Sequence, residues 1–152
     1  MGLLGKMKNA ITGGGANVTI EYPTNSVKPG EKIHVKVTVT STGSSFKTKG
    51  VFVDLKGEEH GSVTGSNRCD KCGDYDKVRL QFHNTTYDSA IPLSGGFSIG
   101  ESETKNFEGD ITIPSNAQPT YFGTVKHEWS IRGRVEAFGN DPDSGFQPII
   151  VK

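Results

Sequence analysis

The sequence predicts an all-β protein built as an antiparallel sandwich, on three grounds. Apolar and polar residues alternate with a period of two in run after run, as they do in strands with one buried face. Glycine- and proline-rich turns separate the runs, and no internal segment shows helical spacing. Seven or so such strands pack as two sheets face to face.

Residues 1–15 form a unit apart, expected to be a short amphipathic helix and a Gly-rich linker. Leu3, Leu4, Met7, Ala10 and Ile11 recur at helical spacing with Lys6 and Lys8 between them, and Thr12–Gly15 ends the pattern. So short a helix needs a surface to lie on.

Residues 16–152 are expected to form the sandwich domain. In "NVTIEYP", Val18, Ile20 and Tyr22 alternate with Thr19 and Glu21. A Pro-Gly turn in "VKPGEKI" then leads to "KIHVKVTVTST", where Ile33, Val35, Val37 and Val39 face the core and His34, Lys36, Thr38 and Thr40 face water. Three further inner sets follow: Val51, Val53 and Leu55; Val78, Leu80 and Phe82; and Phe107, Gly109, Ile111 and Ile113.

Pro114 and Pro119 keep the next loop out of a sheet. The strand after it carries Val125, His127, Trp129, Ile131, Gly133, Val135 and Ala137 on one face. Alternation this long predicts a strand crossing the whole domain, with Trp129 as a core anchor and His127 as a hydrogen-bonded core histidine. "FQPIIVK" supplies the last strand.

Composition narrows the function. Lysine plus arginine equals aspartate plus glutamate at 17 each in 152 residues, so no net field draws the chain to nucleic acid or an anionic membrane. No run approaches the roughly 18 apolar residues of a membrane span, and the start lacks a signal-peptide pattern. The expected location is the cytoplasm. No G-x-S-x-G, HExxH or Walker pattern occurs, and the four histidines and scattered serines suggest no nucleophile and base, so no enzyme is expected.

The most suggestive local feature is "CDKC", Cys69 to Cys72. Two thiolates three positions apart can chelate zinc, and a closed site needs two more ligands. His60 and His83, one on each strand that the hairpin joins, could supply them if the hairpin folded back; His83 is out of phase with Val78, Leu80 and Phe82 and points away from the core. A reversible dithiol and a plain polar hairpin tip are the alternatives. Asp70, Asp74, Asp76, Asp141 and Asp143 lack calcium-loop spacing and are expected as turn formers. Arg132 and Arg134, flanked by Glu128 and Glu136, are expected on a solvated face with cross-strand charge pairing.

The stretch "IPSNAQPTYFGTVKHEWSIRGRVEAF" resembles the arrestin family, in which a strand ends at Ile-Pro, a proline-rich loop follows with an aromatic, and a long strand begins. "VTIEYPTNSVKPGEKIHVKVTVTS" is similar to that family's opening hairpin and "KGVFVDLKGEE" to its next strand. The likeness covers roughly Val18 to Val151 and is nearest to the bacterial arrestin-like proteins of sporulation control. It implies an immunoglobulin-like sandwich of arrestin type and a role as a non-enzymatic adaptor or regulatory scaffold. Partners would be proteins, a second copy of the chain included, bound through a sheet edge or loops. The "CDKC" hairpin departs from the family pattern, so a zinc- or thiol-dependent sensor built on it stands as the alternative function.

Overall fold

The computed structural model describes residues 15–137, 139 and 141–152, and the backbone of Leu4–Lys6. The strands are β1 (Leu4–Lys6), β2 (Ala16–Pro23), β3 (Lys32–Ser41), β4 (Phe46–Arg68), β5 (Tyr75–Gly95), β6 (Ser98–Ile99), β7 (Thr104–Thr112), β8 (Val125–Ala137) and β9 (Gln147–Ile149). One sheet runs in the order β1-β2-β3-β7 and the other β5-β4-β8-β9, with β6 also on β4. The named pairs are antiparallel, so the expected all-β antiparallel sandwich is what forms.

Alternation becomes burial along most of the chain. Ile20, Val35 and Val37 of the first sheet meet Val53, Leu55 and Ile131 of the second in one apolar core. The sheets approach so closely at Gly133 that an added Cβ would lie 2.9 Å from Val37 Cγ2 and 3.5 Å from Ile20 Cβ. Glycine is therefore required there by space. The predicted Pro-Gly turn is present: Glu31 N–H donates to Lys28 C=O at 3.0 Å, and Gly30 takes φ 81°, the geometry of a type II turn with proline at its second position.

Trp129 and His127 are core residues as expected, 3% and 0% exposed. Their polar atoms hold the proline loop. Trp129 Nε1–H donates to the Gln118 carbonyl at 2.7 Å and His127 Nδ1–H to that of Pro119 at 3.2 Å, while His127 Nε2 meets Thr86 Oγ1 at 2.7 Å. Backbone bonds add to these at the loop's end, where Tyr121 exchanges N–H···O=C bonds with His127 and Thr120 N–H donates to Val151 C=O, while Pro114 and Pro119 have no N–H to give.

Three expectations need correction. The helix expected in residues 1–15 does not include Leu4–Lys6, which pair as a strand with Glu21–Pro23; the rest of that expectation lies outside the described residues. Val78, Leu80 and Phe82, expected inside, are 44%, 66% and 41% exposed. The reason is the length of β4 and β5: β8 pairs with β4 only as far as Gly61, and beyond it the two strands run on as a two-stranded arm. Arg132 and Arg134 make the expected cross-strand charge pairs, but on a half-buried face and not an open solvated one. Both bond to Asp54, whose residue is 6% exposed, and Asp143 and Asp141 complete the pairs at 3.3 and 3.4 Å.

Candidate functional site

Among the described residues, most of the exposed large apolar side chains lie on the arm. Register places Gly61 opposite Phe82, Val63 opposite Leu80 and Gly65 opposite Val78. Paired residues share a face, so Val63, Val78, Leu80 and Phe82 form one apolar stripe, all exposed. The stripe continues the face that carries Val53 and Leu55 lower on β4, where the first sheet covers it. The opposite face of the arm is polar, with Ser62 beside Gln81, Thr64 beside Arg79, Ser66 beside Lys77 and Arg68 beside Tyr75. Arg79 Nε–H donates to Ser62 Oγ at 2.9 Å.

Where the arm leaves the sandwich, a shallow cleft of about 630 Å³ is lined by His60, Gly61, Phe82, His83, Gly123 and Lys126, among others. Phe82 lies across Gly61, so that an added Cβ would meet its ring at 2.8 Å; an aromatic thus fills the space left by a glycine on the neighbouring strand. The exposed ring of Phe122 adjoins this cleft in sequence.

His60 and His83 sit directly opposite each other, ring centroids 6.2 Å apart, on the polar face as the phase of His83 required. Each bonds to a carboxylate: His60 Nε2 to Glu128 Oε2 at 3.2 Å and His83 Nε2 to Glu58 Oε1 at 3.1 Å. Lys56 Nζ also reaches Glu58 at 2.6 Å and, with His83, holds that carboxyl below its ordinary value.

Cys69 and Cys72 are both free and exposed at the tip. The strands continue to Arg68 and from Tyr75, so only Cys69–Asp74 form the turn. Cys69 N–H donates to Asp74 C=O and Gly73 N–H to Cys69 C=O, each at 2.8 Å, with Gly73 at φ 74°. Cys72 N–H donates to Cys69 Sγ at 3.3 Å. The Cys72 thiol, and then the backbone N–H groups of Cys72 and Lys71, hold the Cys69 thiol below its ordinary value, because donors at a sulfur favour the thiolate.

The straight ribbon thus brings the two cysteines together and the two histidines together, but keeps the pairs apart. Cys69 is nine residues beyond His60, about 30 Å along an extended strand. Among the described residues no three His, Cys, Asp or Glu are grouped to hold a metal ion, and no helix is long and apolar enough to cross a membrane.

The fold is similar to that of Spo0M, a sporulation control protein from Bacillus subtilis. The TM-score is 0.62 at 19% identity, over 91% of this chain and 50% of that one, so the chain spans about half the length of Spo0M. What is shared is the arrestin-like β-sandwich. A family 123 glycoside hydrolase from Clostridium perfringens also matches, at TM-score 0.43 and 12% identity over 84% of this chain and 23% of that one, too distant to bear on function. No protein-family model and no curated protein sequence matches.

Sequence reasoning missed the buried Asp54 with its two arginines and the contact of Thr86 with His127. It also missed the exposure of the stripe, for which the unusual length of the two runs around "CDKC" was the available signal.

Proposed function

We propose that the chain is a non-enzymatic protein-interaction module with a regulatory role of the sporulation-control kind, acting in the cytoplasm through the apolar face of the arm. One observation carries this reading: Val63, Val78, Leu80 and Phe82 stand exposed together on one face of a projecting ribbon. Contiguous exposed apolar surface marks contact sites, and β5 is a sheet edge along its length, which adds backbone groups for strand addition. The fold likeness to Spo0M and the balanced charge support a protein partner over nucleic acid.

The test is an affinity capture from the native host, run with the natural chain and with Leu80→Glu/Phe82→Glu, followed by a direct binding measurement on each captured protein. A partner bound by the natural chain and lost in the variant is the expected result. Equal binding by both, or no partner for either, overturns the arm as the contact surface. Both substituted residues are exposed, so losing the Phe82 ring from Gly61 should lower the thermal midpoint only slightly, and that midpoint is measured beside the binding.

A further inference from the structure

We propose that two copies of this chain share one zinc ion, held by Cys69 and Cys72 of each at the tips of their arms. The proposal goes beyond the reading of the arm's apolar face as a contact surface, because it concerns the tip and stands or falls separately.

The tip is half of a tetrahedral site. A C-x-x-C turn closed by a glycine in the left-handed region points two thiols at one position, and the N–H of Cys72 on Cys69 Sγ is already in place. Thiolate sulfurs suit zinc, which in closed sites takes four nitrogen or sulfur ligands. This chain brings two to the tip. His60 and His83 do not complete the set, because they sit against Glu128 and Glu58 at the far end of the arm. The remaining ligands therefore come from another molecule.

A second copy supplies the same two thiolates, and closed two-fold pairs are the commonest assemblies of identical chains. A two-fold axis through the zinc ion sets tip against tip with the arms pointing apart, which keeps the two sandwiches clear of each other. A membrane surface fits less well, because the tip that would enter it carries the charges of Asp70, Lys71 and Asp74.

Binding needs no oxidant. Four thiols release four protons to solvent and four sulfur lone pairs go to the metal.

The test is zinc titration of the reduced full chain, with metal content and molecular mass measured together, and cobalt(II) used in zinc's place for its thiolate charge-transfer absorption. One metal for two chains, a doubled mass and an absorption of four thiolates are expected, all lost in Cys69→Ser/Cys72→Ser. One metal per chain at unchanged mass, metal uptake undiminished in the double variant, or no uptake overturns the proposal. If uptake fails while Leu80→Glu/Phe82→Glu still abolishes partner capture, the zinc site falls alone and the arm stands as a contact surface. A zinc-bridged pair formed by a chain that captures no other partner sustains the zinc site.

Discussion

The β4–β5 ribbon is one continuous pair of strands with two fates. In its lower half, Val53 and Leu55 are fully buried under the first sheet. In its upper half, Leu80 and Phe82 occupy the equivalent face and are exposed. Alternation is the same in both; what differs is the presence of an opposing layer. A strand pattern therefore specifies which face is apolar, and only the partner layer makes that face a core.

The comparison breaks most sharply under matched truncations. Leu55→Ala empties a filled site and should lower unfolding stability by about 2–5 kcal/mol. Leu80→Ala removes a side chain that is already in water and should change it by less than about 0.5 kcal/mol. Urea unfolding of the two variants beside the natural chain measures both; equal losses would mean that the arm is covered within the single chain.

How much of this was legible follows from the same contrast. The alternating runs of β2, β3, β7 and β8 gave their inner faces directly, since each keeps one phase from end to end. β5 does not. Val51 opposes Ser94 but Phe52 opposes Pro92, and Gly57 opposes Tyr87 but Glu58 opposes Thr85, so Leu93 and Thr86 are extra residues in bulges. The bulge at Thr86 reverses the phase of the strand, moving the core face from Phe82 and Leu80 to Tyr87, Ser89 and Ile91, and turns the Thr86 hydroxyl onto His127. A reader of the sequence sees the pattern break and ends the strand. The Cys69 and Cys72 pair was visible by spacing alone; its separation from His60 and His83 was not, because it depends on whether the hairpin runs straight.

The buried charge on the other face of the lower ribbon was equally hidden, since Asp54, Arg132 and Arg134 meet only through the register of β4 with β8. Asp54 accepts from Arg132 Nε at 2.8 Å and from Arg134 Nε at 2.9 Å, and the pairing raises the Arg134 guanidinium above its ordinary value. Phe146 and Phe52 lie against the two guanidiniums at 4.4 and 5.0 Å. Asp54→Asn leaves two half-buried cations short of a carboxylate. The expected loss is about 2 kcal/mol, below the roughly 3–5 of a fully buried pair, because Asp143 and Asp141 remain to share them. Thermal unfolding checks it, and a stability unchanged from the natural chain would show that the outer aspartates suffice.

The arm's own chemistry should move stability least and reactivity most. Cys69 lies in open water, so burial does little to oppose its ionisation, and the Cys72 thiol with the N–H groups of Cys72 and Lys71 favours the thiolate. The sign follows directly: a lowered thiol value means that the nucleophilic form is present at lower pH than in an unperturbed cysteine, whose midpoint is about 8.5. Alkylation of Cys69 by iodoacetamide, followed site by site by mass spectrometry in Cys72→Ala, should titrate at higher pH than in the natural chain, because the thiol that contributes most to the shift is gone. The unfolding midpoint of that variant should match that of the natural chain, since both cysteines stand clear of the core. An alkylation profile unmoved by Cys72→Ala would mean that the two sulfurs do not meet in solution, and the tip would then lack the chelating geometry that a shared zinc ion requires.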